Sequence, residues 1–215
     1  MIPVLAFPTF ARHDLAQRMI DSIDYPVEHL VIVDNSGKKQ FQPTLNDNIK
    51  NFWLLQMPFG VGPATAMNIV IKATPHAKYW VMASEDTYCA PGALEIIDKE
   101  VDTEALNFVD AIPDWCFIAL GEGVVLKAGL CSELFYPYYF EDNDYERRID
   151  ALGIPKKRIQ AKVNHDNSST LAAGFQEKNT RTYAINQILH SRRTAEENMG
   201  SGEWSLEIRR QNSWD

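Results

Sequence analysis

Apolar runs broken by polar turns set the rhythm of the first hundred residues. Met1 to Phe7 reads as a strand ended by Pro8 and Thr9, before a helix starting near Arg12 or His13. Leu15, Ala16, Met19, Ile20 and Ile23 recur there at helical spacing. Leu30 to Val33 is a second apolar strand, closed by the turn-forming run Asp34-Asn35-Ser36-Gly37. Residues 38–50 carry no clear period and read as a loop, and Phe52 to Gln56 is a third strand. Pro63 suits a first helical position, and Ala64, Met67, Val70, Ile71 and Ala73 make the helix after it apolar enough to be covered on more than one side. Lys78 to Ala83 leads into a fourth strand that stops at Ser84-Glu85-Asp86. Near-continuous apolar strands alternating with amphipathic helices predict an α/β fold built on a parallel sheet.

The second half is patterned less evenly. A helix is predicted from Pro91 through Leu94 and Ile97 to about Val101, and residues 102–113 fit no single element. Trp115 to Leu120 and Gly123 to Leu126 read as two strands joined at Gly121-Glu122-Gly123, a hairpin that makes the sheet mixed. Asn143 followed by Glu146 fits a capping box, which places Glu141 and Asp142 just before a helix buried through Tyr145, Ile149 and Leu152 and ended by Gly153 and Pro155. A short strand around Arg158 to Ala161 leads to a polar stretch containing His165, and a helix is expected from about Thr180 to Glu197. Trp204, Leu206 and Ile208 alternate as in a strand.

The chain has 215 residues, 45% hydrophobic and 23% charged, enough for one substantial core. Its formal charge of -8, from 21 basic and 29 acidic residues, argues against a non-specific grip on duplex nucleic acid. No run approaches the length of an integral membrane segment and no signal-like leader opens the chain, so the cytoplasm is the expected location. Cys89, Cys116 and Cys131 are odd in number and lack metal-type spacing, which predicts reduced thiols.

Asp86, Asp142 and His165 each fall at a predicted strand end or connection, where α/β sheets place their ligands. Carboxylate oxygens with an imidazole suit Mn²⁺ or Mg²⁺, phosphate oxygens completing the shell. Such an ion offsets the charge that a departing diphosphate accumulates. No G-x-x-x-x-G-K-[ST] run is present, and Gly60-Val61-Gly62 lacks the rest of a dinucleotide fingerprint.

Taken in order, Pro3 through Arg12, Val31 through Ser36, Gly60-Val61-Gly62 with Asn68, Ser84-Glu85-Asp86, Gly129 through Glu133, Phe140 through Asp144 with Arg148, and His165 resemble the GT-A glycosyltransferases, particularly their family-2 group. The resemblance spans residues 2 to about 170. It implies a three-layer α/β/α domain over residues 1–170 with a central mixed, mostly parallel sheet; residues 171–215, beyond the resemblance, are expected to form a C-terminal helical extension and tail packed on the same domain. It further implies a hexosyltransferase-like enzyme that moves a sugar from a nucleotide-diphosphate donor, with inversion, to an acceptor hydroxyl on a glycan, protein, lipid or modified nucleobase. By similarity Thr9 lies near the nucleotide, Asp34 binds the nucleobase, and Asn68 serves a phosphate-side loop or a neighbouring helix. Asp86 and His165 hold the metal, Asp142 is the catalytic base, and Glu141 contacts the acceptor or orders the loop. The chain departs from the family at Ser84, where an Asp is common: the hydroxyl accepts a hydrogen bond from ribose but brings no carboxylate, and Glu85 compensates only if it points inward. Two other readings stay open, a sugar-phosphate nucleotidyltransferase and a catalytically silent carbohydrate-binding or assembly protein.

Overall fold

The computed structural model describes residues 1–10, 12–38, 41–166, 176–193 and 205–211, with the side chains of 176–179 left aside. Eight strands follow one another across the fold in the order β3-β2-β1-β4-β7-β6-β8-β5. They are β1 (Ile2–Thr9), β2 (Val27–Asp34), β3 (Ile49–Gln56), β4 (Tyr79–Ala83), β5 (Thr87–Cys89), β6 (Leu106–Asp110), β7 (Phe117–Gly121) and β8 (Lys156–His165). The pairs β1/β2, β2/β3, β1/β4 and β6/β8 are parallel. β7 runs antiparallel to both β4 and β6, and β5 antiparallel to β8, so the sheet is mixed.

Alternation along the strands sorts the core into two layers. Leu5, Phe7, Val81, Ala83, Phe117, Ala119, Ile159, Ala161 and Val163 face α1 (His13–Asp21) and α3 (Ala93–Glu100). Val4, Ala6, Trp80, Met82, Ile118 and Leu120 face the other way, against α2 (Pro63–Ala73), α4 (Glu122–Ala128), α5 (Glu141–Ala151) and α7 (Leu206–Gln211). Burying each large aliphatic side chain in these layers contributes about 1.5–3 kcal/mol. The fold is thus three-layer α/β/α around a mixed, largely parallel sheet. Among the described residues no helix is long and apolar enough to cross a membrane.

Four local expectations are corrected. Gly123 to Leu126 is not the second arm of a hairpin but part of α4. Val124, Val125 and Ala128 are buried there while Leu126 is 47% exposed, a helical spacing that a four-residue window reads as a strand. Leu206 and Ile208 lie on helix α7, not on a strand, while Trp204 falls outside the described residues. Leu206 is buried and Arg210, four positions on, donates to the Pro75 and Ala77 carbonyls and to Glu122. The α5 helix begins at Glu141 rather than at an Asn143 cap, so Glu141 and Asp142 occupy its first turn. Leu152, expected on its buried side, is 36% exposed.

The helix of the extension is α6 (Gln176–Arg192); the rest of its predicted span, beyond residue 193, lies outside the described residues. Asn186 on α6 is buried, and its amide donates to the carbonyls of Phe135, Tyr138 and Tyr139.

Candidate functional site

The turn after β4 divides its acids between two directions. The Ser84 N–H donates to the Cys116 carbonyl at 2.8 Å, and the Ser84 carbonyl accepts from the Thr87 hydroxyl. Glu85 points inward: its buried carboxylate accepts from the Thr9 hydroxyl at 2.6 Å and the Phe10 N–H at 2.9 Å. Asp86, also buried, meets His165, with Oδ1 to Nε2 at 3.1 Å. The pairing of Thr87 with His165 in the β5/β8 ladder sets that approach. His165 Nδ1 lies 2.9 Å from the Ile112 carbonyl, to which it donates, so Nε2 is the nitrogen turned to Asp86. The bond to Asp86 draws the imidazole pKa upward.

A carbonyl-anchored imidazole beside a carboxylate fits the donor set of a divalent cation, because the fixed Nδ1–H leaves Nε2 as the ligating atom. Among the described residues no third His, Cys, Asp or Glu completes a cluster with them. Two protein ligands plus phosphate oxygens and water is a common arrangement for Mg²⁺ at nucleotides.

At the end of β2, beside Thr9 in the β1/β2 register, Asp34 is almost fully buried. Its Oδ1 accepts the Ser36 N–H at 2.9 Å and lies 3.8 Å from His13 Nε2. Its Oδ2 is enclosed and has no hydrogen-bond partner among the described residues. His13 stacks on Phe41 with centroids 4.8 Å apart. Asn68 is spoken for: its amide donates to the Cys131 carbonyl and to Glu133, and its oxygen accepts the Cys131 N–H. It therefore shapes the 131–133 connection.

The third component is the start of α5. Tyr139 and Phe140 both adopt left-handed backbone conformations, at φ 75° and 73°, and the turn they make delivers Glu141 and Asp142 into the first helical turn. Burial drives the Glu141 carboxyl up to about 8, aided by the neighbouring Asp142 charge, and its Oε2 is enclosed without a hydrogen-bond partner among the described residues. Burial also raises Asp142, against the opposing pull of helix N–H groups, one of which, from Asn143, meets Oδ1 at 2.8 Å. Asp144 pairs with Arg148 across one helical turn, both buried, and Arg148 also donates to the Ala128 and Leu130 carbonyls.

The segment Asp110–Cys116, unassigned by the sequence pattern as far as Pro113 and expected to enter a strand at Trp115, turns before β7 starts at Phe117 and ties these parts together. It joins β6 to β7 and supplies the Cys116 carbonyl to Ser84 and the Ile112 carbonyl to His165. The Trp115 indole donates to Glu146, one helical turn beyond Asp142, at 3.0 Å. Trp115 packs edge-on against Phe108 and Tyr145, and Tyr139 against Tyr138 and Tyr183, so both rings are engaged in the body of the protein. All three cysteines are free and buried, and burial pushes the Cys89 thiol up to about 12, which leaves it protonated and unreactive.

No protein-family profile and no curated protein matches the chain. Solved structures do. The mannosyltransferase PcManGT from Pyrobaculum calidifontis, in complex with GDP-Man and Mn²⁺, superposes with a TM-score of 0.58 at 13% identity, over 98% of this chain and 74% of that one. TarS 1-349 of S. aureus with UDP gives 0.56 at 12% identity, over 76% of this chain and 60% of that fragment. The catalytic domain of Drosophila beta1,4-galactosyltransferase 7 gives 0.53 at 10% identity, over 77% and 70%. The chain thus has a GT-A-like glycosyltransferase fold, and it spans less than two thirds of the TarS fragment it matches.

Proposed function

We propose that the chain is a metal-dependent, inverting glycosyltransferase that uses a nucleotide-diphosphate sugar. The observation that carries this reading is the Asp86–His165 contact at the same sheet edge as the buried, unpartnered Asp34 oxygen. The GT-A-like fold, shared with a mannosyltransferase solved with GDP-Man and Mn²⁺, supports it.

Asp34 accepts an N–H of the nucleobase, the one polar partner its free oxygen lacks. Thr9 and Ser84 stand by the ribose, with Glu85 orienting the Thr9 hydroxyl and returning a negative charge to the motif that Ser84 dilutes. Asn68 acts indirectly, by fixing the 131–133 connection. Asp86 and His165 hold the cation, Mn²⁺ or Mg²⁺, which when bound neutralises charge on the leaving diphosphate. Asp142 takes the proton of the acceptor hydroxyl as its oxygen bonds to the anomeric carbon and the bond to the diphosphate oxygen breaks. One displacement inverts the anomeric centre. Burial makes Asp142 a better base than an exposed aspartate, while Glu141, largely protonated at neutral pH, adds no second charge and can donate a hydrogen bond.

The test is a panel of nucleotide sugars with Mn²⁺, scored for nucleotide diphosphate release with and without acceptors. Release that depends on Mn²⁺ and on acceptor, with an inverted product by NMR, is the expected result. Binding without release across the panel would replace this reading with a silent carbohydrate-binding protein.

A further inference from the structure

Beside the Asp110–Cys116 turn, and sharing His165 with the donor end of the site, lies a cleft of about 360 Å³. Its walls include Tyr88 on β5, Lys162 and Asn164 on β8, and Asp110 and Ile112 at the start of the turn. We propose that this cleft is the acceptor subsite and that it takes a carbohydrate ring, an inference that rests on the glycosyl-transfer reading above.

The cleft exists because one layer is incomplete. Ile159, Ala161 and Val163 turn one face of β8 to α3, but Gln160 and Lys162 on the opposite face are exposed. Asn164 stands opposite Tyr88 in the β5/β8 register, so the two side chains share that open face. The volume falls in the range of small-molecule sites.

The lining selects the class of ligand. Asp110 accepts hydrogen bonds, Lys162 donates them, and the Asn164 amide does both, which matches ring hydroxyls that are donors and acceptors at once. Neither Asp110 nor Lys162 forms an ion pair among the described residues, and their opposite charges cancel. A near-neutral lining disfavours a polyanion, which would call for several unopposed cations.

Two apolar groups complete the match to the C–H face of a sugar. The Tyr88 ring is fixed by the Arg18 guanidinium, 4.3 Å from its centroid, and Arg18 is itself anchored by Asp166 at 2.6 Å. Ile112 is 84% exposed although its carbonyl is held by His165, so the backbone presents this side chain to solvent at a fixed place. The same turn reaches α5 through Trp115 and Glu146, and it thereby links the cleft wall to the helix that carries Asp142.

The test uses the full chain and a set of p-nitrophenyl α- and β-glycosides of glucose, galactose, mannose, xylose and N-acetylglucosamine, followed by saturation-transfer NMR. Saturable binding of at least one glycoside is expected, weakened at least tenfold in Lys162→Ala, Asn164→Ala and Ile112→Ser. Thermal melts establish that each variant is folded, and Lys127→Ala, paired with Glu104 and outside the cleft lining, serves as the control. Binding of equal strength in all variants, or of no glycoside by the wild type, overturns the proposal. So does a serine/threonine peptide or an oligonucleotide that binds in place of every glycoside. Nucleotide-diphosphate binding, titrated separately, reports on the donor site: its absence beside intact glycoside binding would sink the glycosyl-transfer reading and leave a carbohydrate cleft standing.

Discussion

At the scale of single residues, the proposed site holds two neighbouring carboxyls that burial raises, Glu141 and Asp142. Asp142→Asn keeps the shape of the first turn of α5 and removes the proton acceptor. Transfer should fall by at least ~100-fold, as general-base losses do, with nucleotide affinity retained in a calorimetric titration. Wild-type turnover would remove Asp142 from its role. Glu141 gives a separate test through stability. Its carboxyl sits near 8 in the folded chain against an ordinary value of 4.5. Between those two values the unfolded chain releases the proton while the folded chain keeps it, so stability falls as pH rises through that window and is level on either side. Glu141→Gln removes the dependence: its melting temperature should gain on the wild type between pH 5 and pH 8.5, and parallel curves would contradict the raised carboxyl. Arg148 is different in kind. Truncating it to Ala removes the partner that the buried Asp144 carboxylate meets across one helical turn and releases two carbonyls, which should cost about 3–5 kcal/mol in urea unfolding.

Among the elements, α6 holds the connection that leads into α5. The Asn186 amide gathers the carbonyls of Phe135, Tyr138 and Tyr139, the last of them in the left-handed pair that leads into α5. His190 packs against Phe135 and Phe140, and the Arg147 guanidinium bonds the His190 and Arg193 carbonyls. Asn186→Ala should destabilise the fold by about 1–3 kcal/mol and, on the proposed reading, lower kcat well beyond any change in the donor KM, because it loosens the turn that carries the proposed base Asp142 and not the proposed nucleotide pocket. An unchanged kcat would show that α6 only covers the core. This grip was not legible in the sequence, since an Asn on a polar helix has no pattern to announce three carbonyl partners distant along the chain. The ends of β1, β2 and β4 were legible, because long apolar runs that stop in Thr9, Asp34 or Asp86 leave little choice of place. The α4 and α7 assignments failed for a shared reason: in four or five residues, helical and alternating spacing overlap.

Across the whole molecule, the strand ends read from the sequence hold Asp34, Asp86 and His165 at one edge of the sheet, and Asp86 and His165 touch although 79 residues (165 − 86) separate them. What the sequence could not convey was the connector that stitches them, since Asp110–Cys116 meets Ser84 and His165 through main-chain carbonyls, which any residue type supplies. That connector joins two antiparallel neighbours, whereas β1, β2 and β4 are parallel and are reached by crossing the body. A loop between adjacent antiparallel strands can change length with no helix to re-dock and only a slowly growing closure entropy. Exchanging side chains at the tip, with the Ile112 carbonyl kept on His165, would therefore be the least disruptive way to retrain the proposed recipient cleft.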